Sequence, residues 1–497
     1  MKTSNILILM TVIAAVNFAH IASAESLKGS RPNIILVMTD DQGMGDLSVM
    51  GNQVLQTPNI DAFSQRSTRF NDFHVSPTCA PTRAALMSGR HEFRNGVTHT
   101  IRERERMALS TTTFAQLLQQ SGYQTGLFGK WHLGDEQQYL PQNRGFSEVF
   151  MHGAGGIGQS FPGSGADFPP NQNKENKYFD NVILHNDTVV QTKGFCTDVF
   201  FQAALGWIKQ QHDAKQPFFA YISTNAPHGP MLAPEKYKQR FKDMGWDDKT
   251  QGRYGMIENI DDNFGLLMQK LQQWQLIEDT LVIFMTDNGQ AGRNGKLNGK
   301  NKKMHMAGFK TGKGSAYEGG THVPAFWRWP GVLAENVDIN ALTAHIDLFK
   351  TFTELAGAKI PNNIQQIDGR SLLPLLENPK SDWPDREIFV HKGRWASGSN
   401  VEHSKYKKSA VRTQRWRLVN NSELYDINND PFEDTDVAKK YPEVVQQLRT
   451  KYDSWWQQTV PLMVNEDAPL LDHQPFVELY EKAIAGGPLP LWQPPKL

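Results

Sequence analysis

Two short apolar runs in the chain end in acidic residues that could share a cation. Residues 33–39 (NIILVMT) stop at Asp40-Asp41, and residues 280–286 (TLVIFMT) stop at Asp287-Asn288. Three carboxylates brought together repel strongly unless a cation lies among them. Asp40, Asp41, Asp287 and Asn288 offer only oxygen, a donor set suited to Ca2+ or Mg2+ rather than Zn2+. Asp and Asn also close strands as turn or helix-cap residues, so the two pairs alone leave both readings open.

Cys79 is the second reactive group. Residues 75–90 read VSPTCAPTRAALMSGR. Pro77 and Pro81 are expected to hold the backbone extended, with helix from Ala84 onward. Cys79 then lies near a helix N-terminus, where the dipole and free N–H groups favour an anion. Arg83 follows four residues on, and Arg90 lies further along. Such a position suits a reactive thiolate or an anion-binding post. A plain buried cysteine, or pairing with Cys196, is the structural alternative.

The elements that must position these groups can be read from the pattern around them. Continuous apolar runs of this length predict strands buried on both faces, as in a parallel sheet. Residues 123–128 and 217–224 read as further strands, and 112–122 and 198–210 as amphipathic helices. This alternation predicts a large doubly wound, mostly parallel α/β sheet flanked by helices. In such a sheet, ligands bind beyond the C-terminal strand ends, which is where both acidic pairs fall. Residues 150–180, rich in Gly, Asn, Gln and Pro, read as a long surface insertion. After residue 375 the pattern shifts to short strands at 388–391 and 409–420, a third stretch at Leu424-Tyr425-Asp426, and a helix over 441–457. A catalytic α/β domain over 25–375 and a smaller C-terminal α+β domain over 376–497, antiparallel sheet plus helix, are the expected divisions.

Composition narrows the function classes. The 52 Lys and Arg balance 52 Asp and Glu, which excludes a global basic field for nucleic acid. With 39% hydrophobic residues the chain can build a large core. Two cysteines exclude a disulfide framework. At the N-terminus, Lys2, the apolar run 6–16 and Ala22-Ser23-Ala24 read as a secretory signal over 1–24, cleaved before Glu25. That run is too short to span a bilayer and no later segment is apolar enough, so no stable membrane insertion is expected. Export with so few cysteines points to a bacterial periplasmic protein rather than a fully secreted one. In that setting the sequons at Asn186 and Asn420 carry no meaning.

Cys79-Ala80-Pro81-Thr82-Arg83, followed by Ser88-Gly89-Arg90, resembles the C-x-P-x-R signature of the type I, formylglycine-dependent sulfatases of the alkaline phosphatase-like superfamily. Further stretches are similar to the family's in order: NIILVMTDDQGMG (33–45), TPNID (57–61), GKWHLG (129–134), Ala226-Pro227-His228, TDNG (286–289), GKGSAYEGG (312–320), and Leu424-Tyr425-Asp426 with Asp430-Pro431 and Glu433. The resemblance covers about residues 31–450. It implies hydrolysis of a sulfuric ester, with Cys79 converted after translation to formylglycine by a formylglycine-generating or sulfatase-maturating enzyme. It implies one Ca2+ per chain, in preference to Mg2+, held by Asp40, Asp41, Asp287, Asn288 and the modified Cys79. Hydrated formylglycine has two hydroxyls: one attacks sulfur, and the other expels sulfate and restores the aldehyde. By the same resemblance, Arg83 and Lys130 surround formylglycine and the metal, and His132 is the base that deprotonates the second hydroxyl. His228 and Lys313 contact sulfate or protonate the leaving oxygen. The implied substrate is a sulfated carbohydrate. A phosphodiester or phosphonate hydrolase on the same scaffold, and a sulfated-glycan-binding protein without catalysis, are the competing functions.

Several features stand outside this set. His305, Glu318 and His322 flank Lys313 and read as surface polarity or pocket lining. The basic, aromatic stretch 392–408 reads as a solvated face or a grip on an anionic polymer. Trp455-Trp456 reads as core.

Overall fold

Alternation along the strand Asn33–Thr39 shows how the core is built. Ile34, Leu36 and Met38 enter one apolar layer, and Ile35 and Val37 enter the opposite one. Its partner Thr280–Thr286 divides the same way, Leu281, Ile283 and Met285 against Val282 and Phe284. A strand with two buried faces must be apolar throughout, which is why both runs lack polar interruptions. The computed structural model describes residues 26–497, and the signal segment read at 1–24 lies outside the described residues.

Ten strands form one sheet. Their order is Val337–Ile339, Thr68–Phe70, Ala325–Arg328, Thr280–Thr286, Asn33–Thr39, Phe218–Ser223, Gln124–Lys130, Glu148–His152, Val182–His185 and Thr188–Gln191. The stretch from Thr280–Thr286 to Glu148–His152 is parallel throughout. Antiparallel neighbours, Ala325–Arg328 and Val182–His185, flank it. Helices Phe114–Gln120 and Leu348–Leu355 cover one face, and Cys196–Asp213 and Asp248–Gln273 the other. Asp248–Gln273 is capped by the Asp247 carboxylate, which accepts from Thr250 N at 2.8 Å. It buries Met256, Ile260, Phe264, Leu267 and Leu271, a stripe at helical spacing. Each such side chain stabilises the layer by roughly 1.5–3 kcal/mol.

The C-terminal sheet has four antiparallel strands in sequence order: Ile388–His391, Ser409–Arg412, Trp416–Val419 and Glu423–Asp426. Val411, Leu418 and Leu424 face the helix Pro442–Thr459, where Tyr452, Trp455 and Trp456 are buried, so the tryptophan pair is core. Val390, Ala410, Val419 and Tyr425 face the other way and pack with Ala85 of the helix Cys79–Ser88. That helix also contributes Ala80, Ala84, Leu86 and Met87 to the layer on the large sheet. The helix headed by Cys79 is therefore clamped between the two sheets. Beyond it, Pro475–Ala485 buries Phe476 against the large sheet's layer, and Trp492 packs on Phe150. Among the described residues, no helix is long and apolar enough to cross a membrane.

Two expectations are corrected in detail. Cys79 is itself the first helical residue, so the helix begins five residues earlier than Ala84. Pro81 sits in the first turn, where its missing N–H costs nothing. The segment 150–180 is not a loose surface insertion: residues 151–158 and 164–168 are buried. Asp167 makes that possible by accepting from Gly153 N and Gly158 N at 2.9 and 2.8 Å, which satisfies backbone that would otherwise need water.

Candidate functional site

Register brings the two acidic pairs together. Thr39 lies opposite Thr286 at the ends of paired parallel strands, so Asp40-Asp41 and Asp287-Asn288 emerge side by side. Asp41 N donates to Asp287 Oδ1 at 3.1 Å, and Asn288 Nδ2 donates to Asp41 Oδ1 at 3.0 Å. Asp41 adopts a left-handed backbone (φ 66°) directly past the strand end. Cys79 enters from the clamped helix. Its Sγ and carboxylate oxygens of Asp40 and Asp287 all lie within 4.8 Å of one another.

Three cations close the site, one from the Cys79 helix and two from further elements. Arg83 lies one turn after Cys79, on the same helix face. It donates to Asp287 Oδ2 at 2.8 Å, to Ser223 Oγ at 2.5 Å and to Lys130 O at 3.1 Å. Lys130, the last residue of Gln124–Lys130, places Nζ 2.5 Å from Asp40 Oδ2. Lys313 reaches from a loop to 2.5 Å from Asp41 Oδ1. Asp40, Asp287 and Lys130 are fully buried. The side chains of His228 and Lys313 are 19% exposed, so the site opens on their side.

Both histidines are oriented by main-chain carbonyls. His132, at φ 62°, donates from Nε2 to Thr100 O at 2.8 Å. Its Nδ1 is then the unprotonated nitrogen, buried and without a partner among the described residues. His228 donates from Nδ1 to Gly229 O at 2.8 Å, leaving Nε2 toward Asp41 Oδ2 at 3.8 Å.

The electrostatics follow from packing opposite charges without water. Burial, then the neighbouring Asp41 carboxylate against Lys130, lifts Asp40 to about 6. Burial and Asp40 lift Asp287 to about 6. Burial also opposes ionisation of Asp41, but Lys313 and His228 outweigh it and hold that carboxyl below its ordinary range. Burial would raise the Cys79 thiol, yet Lys130 and Lys313 together bring it below the usual cysteine value. Burial and the Lys130 charge keep His132 well below the usual histidine range. His228 is lowered by burial despite Asp41.

A cation fits these residues. Asp40 Oδ1 and Asn288 Oδ1 are buried acceptors with no hydrogen-bond partner among the described residues. They belong to the same oxygen-rich cluster, the donor chemistry of a hard divalent ion. A second grouping, Asp72, His74, Glu318 and His322, does not suit a metal. Arg412 already donates to Glu318 Oε1 at 2.9 Å and to both Asp72 oxygens at 3.0 Å. Arg417 donates to Glu318 Oε1 at 2.6 Å. Glu318, read in sequence as surface polarity, is thus the buried centre of an ionic network joining the two sheets.

The ten residues that the resemblance assigns to the site come together here: Asp40, Asp41, Cys79, Arg83, Lys130, His132, His228, Asp287, Asn288 and Lys313, whereas Arg90 lies beside Asp368 and Arg94. Cys79 and Cys196 are both free and buried, with Cys196 in the opposite layer, so the pairing alternative does not occur. Residues that the sequence did not flag include Ser223, which accepts from Arg83, and Arg253, which donates to Asp41 O at 3.0 Å. Gly155 is another: a Cβ there would lie 2.5 Å from His132 Nε2. Ser223 could have been found as the last residue of a strand, but the other two follow only from the packing.

The doubly wound sheet thus carries an acidic, lysine-braced centre beyond its C-terminal strand ends, where such sheets bind ligands. Residues 32–358 match the sulfatase family, and residues 311–458 match the family described as N-sulphoglucosamine sulphohydrolase, C-terminal. N-acetylgalactosamine-6-sulfatase of Mus musculus is 32% identical over 377 residues, 73% of this chain and 69% of that one. Arylsulfatase A of Homo sapiens is 30% identical over 485 residues, 86% of this chain and 89% of that one. The crystal structure of Ps i-CgsB in complex with k-i-k-neocarrahexaose superposes with a TM-score of 0.73 at 30% identity, covering 87% of this chain and 94% of that one. The chain belongs to the sulfatase family. It is an enzyme of that class, a hydrolase of sulfuric esters.

Proposed function

We propose that this sulfatase releases inorganic sulfate from a sulfated carbohydrate, using formylglycine made from Cys79 and a bound Ca2+. The observation that carries this is the convergence on one reacting position. The Cys79 side chain heads a clamped helix within 4.8 Å of the Asp40 and Asp287 oxygens, with Arg83, Lys130 and Lys313 around the same carboxylates. The carbohydrate class is supported by relatives named as N-acetylgalactosamine-6-sulfatases and by the neighbour crystallised with a neocarrahexaose.

Asp40, Asp41, Asp287, Asn288 and the oxygen of the converted side chain at 79 would hold the ion. When bound it draws charge from a sulfuryl oxygen and favours the ionised form of its ligands. Converted to formylglycine and hydrated by one water, position 79 would supply a hydroxyl oxygen that bonds to sulfur as the ester S–O bond breaks and the alcohol leaves with a proton. Loss of the second hydroxyl's proton then re-forms the aldehyde as the C–O bond to sulfate breaks. The remaining residues serve the charge that develops. Arg83 and Lys130 fix the carboxylates and offset the anionic sulfuryl group. His132 Nδ1, held unprotonated by the Thr100 carbonyl, accepts a proton at the buried side of the site. His228 Nε2 and Lys313 Nζ stand at the open side, where both contact sulfate; the Lys313 ammonium, or His228 once Nε2 has taken up a proton, donates a proton to the departing oxygen. The unit over 25–375 carries this chemistry and the unit over 376–497 braces it. Export to the bacterial periplasm after removal of residues 1–24, and modification by a maturating enzyme, complete the reading.

Rates of sulfate release from aryl sulfates and a panel of sulfated oligosaccharides, set beside phosphodiester and phosphonate esters, test it. Higher kcat/KM on sulfate esters, with at least one carbohydrate turned over, is the expected outcome. Preference for the phosphorus esters, or glycan binding without turnover that survives Cys79→Ala, contradicts it.

A further inference from the structure

The cleft running from Lys313 toward the C-terminal sheet has a charge composition that the sulfuryl centre does not explain. Arg293, Lys313, Lys392 and Arg394 line a concavity of about 540 Å3, and no acidic side chain among the described residues lines it. In a chain whose charges otherwise balance, three further cations gathered beside the Asp41-paired Lys313, with no acidic side chain in the lining, repel one another and focus a field that attracts anions. Lys313 already answers to Asp41. Lys392 and Arg394 do not belong to that pair and come from the other sheet.

Their placement is fixed by the backbone. Lys392 follows directly on the strand Ile388–His391, and Arg394 comes two residues later. Lys392 N donates to Lys408 O at 3.0 Å, and Arg394 N donates to Thr98 O at 2.9 Å. Between them Gly393 is left-handed (φ 62°), and a Cβ there would lie 2.0 Å from Thr98 O, so only glycine lets the segment approach. Thr98 lies two residues before Thr100, whose carbonyl orients His132. On the other side, a Cβ on Gly314 would lie 3.2 Å from Lys392 Nζ, which puts the ammonium against the loop that carries Lys313. The segment 392–394 is thus wedged between two loops of the reacting centre. Arg394 Nε is buried with no partner among the described residues. Burial, then the like charges of Lys408 and Arg394, lowers Lys392 from the usual lysine value, as expected for a cation short of counter-charge.

We propose that Lys392 and Arg394 form a second anion subsite beside the sulfuryl centre, which holds a further sulfate or carboxylate of the carbohydrate whose ester is cleaved. This deepens, and rests on, the reading of the protein as a carbohydrate sulfatase. A guanidinium and an ammonium at one mouth suit either oxyanion. The substrate class is therefore a carbohydrate with at least two anionic groups, and the C-terminal sheet selects it.

The test compares wild type with the Lys392→Ala/Arg394→Ala double variant. An aryl sulfate serves as the single-anion substrate. Oligosaccharides carrying one sulfate, two sulfates, or a sulfate and a uronate serve as the carbohydrate arms. Two charge-assisted contacts predict that wild type favours a two-anion substrate by about tenfold or more in kcat/KM. The double variant loses that preference through KM, and its loss on the aryl sulfate is smaller by about the same factor. Which two-anion arm is favoured identifies sulfate or carboxylate as the second group. Arg394→Lys, which keeps the charge, recovers part of the preference. Inhibition of aryl sulfate turnover by a multiply sulfated oligosaccharide is a separate readout: its inhibition constant rises about tenfold in the double variant. Equal losses on all substrates, or an unchanged inhibition constant, overturn the subsite. Wild-type turnover confined to aryl sulfates would overturn the carbohydrate reading instead, and the inhibition constant would still report on the subsite.

Discussion

Arg417 lies fully buried on the strand Trp416–Val419 and holds the loop that carries Lys313. Its guanidinium donates to Ala316 O at 2.9 and 2.5 Å, to Glu318 Oε1 at 2.6 Å and to Thr321 Oγ1 at 2.9 Å. Replacing it with Met keeps the volume but strands the Ala316 carbonyl and removes one of two arginines from Glu318. Breaking a buried ion pair from one side costs about 3–5 kcal/mol, because the remaining charge stays buried. Arg412 remains on Glu318 at 2.9 Å, so the lower end, about 3 kcal/mol, is expected for Arg417→Met. For a chain of this length roughly 1 kcal/mol corresponds to one degree, so the melting temperature should fall by about 3 °C. Lys313 lies in the same loop, and loosening it should lower kcat/KM on an aryl sulfate by about tenfold. Thermal unfolding and steady-state kinetics on Arg417→Met, Glu318→Gln and the double variant measure both effects. The double variant should lose less than the two single losses combined, since each removes the same contact. Unchanged melting and kinetics in Arg417→Met, or additive losses, would refute the view that the C-terminal sheet anchors this loop.

Three further outcomes follow from the site and its surroundings. Burial and the neighbouring Glu103 lift Glu105 from 4.5 to about 7, so the native carboxyl holds its proton where the unfolded one has lost it, and stability falls as pH rises through that interval. Glu105→Gln should therefore stabilise by about 2–3 kcal/mol at pH 8 and very little near pH 4.5, read as melting temperature at the two pH values. An equal shift at both would refute the buried acid. Gly155→Ala pushes a methyl to 2.5 Å from His132 Nε2, so kcat should fall by about 100-fold with little change in melting, whereas full activity would show that His132 is not held as described. Dialysis against a chelator should lower melting temperature and activity together, with Ca2+ restoring both more fully than Mg2+; at about 100 times its dissociation constant the ion contributes about 2.7 kcal/mol. No response to chelation would show that the protein neither holds nor needs the ion.

What could be read from residues alone was local chemistry at strand ends. An apolar run followed by acid is legible because one residue type drives burial on both faces and the next cannot follow it inside. The clamped helix was legible from the proline and cysteine pattern, although its start was misplaced because Pro81 is tolerated in a first turn. Lys130, His132, His228 and Lys313 needed the family resemblance, since an isolated Lys or His carries no signal of its partner. Glu318 was misread because its partners Arg412 and Arg417 lie on a different sheet, and a carboxylate looks solvated until its cations are found. The segment 150–180 was misread because its composition resembles a loop, while Asp167 supplies from within the hydrogen bonds that a surface loop takes from water. Main-chain acceptors such as Thr100 O and Lys130 O leave no trace in side-chain identity at all.

The proposed chemistry requires position 79 to react as formylglycine. Mass spectrometry of the tryptic peptide spanning 70–83, from protein made in a host able to convert it, tests this most directly, with sulfate-ester turnover measured on the same sample. The expected product is a peptide in which the Cys79 sulfur has been replaced by aldehyde oxygen, in a fraction that tracks activity across preparations. Fully active protein in which position 79 carries only the thiol would contradict it.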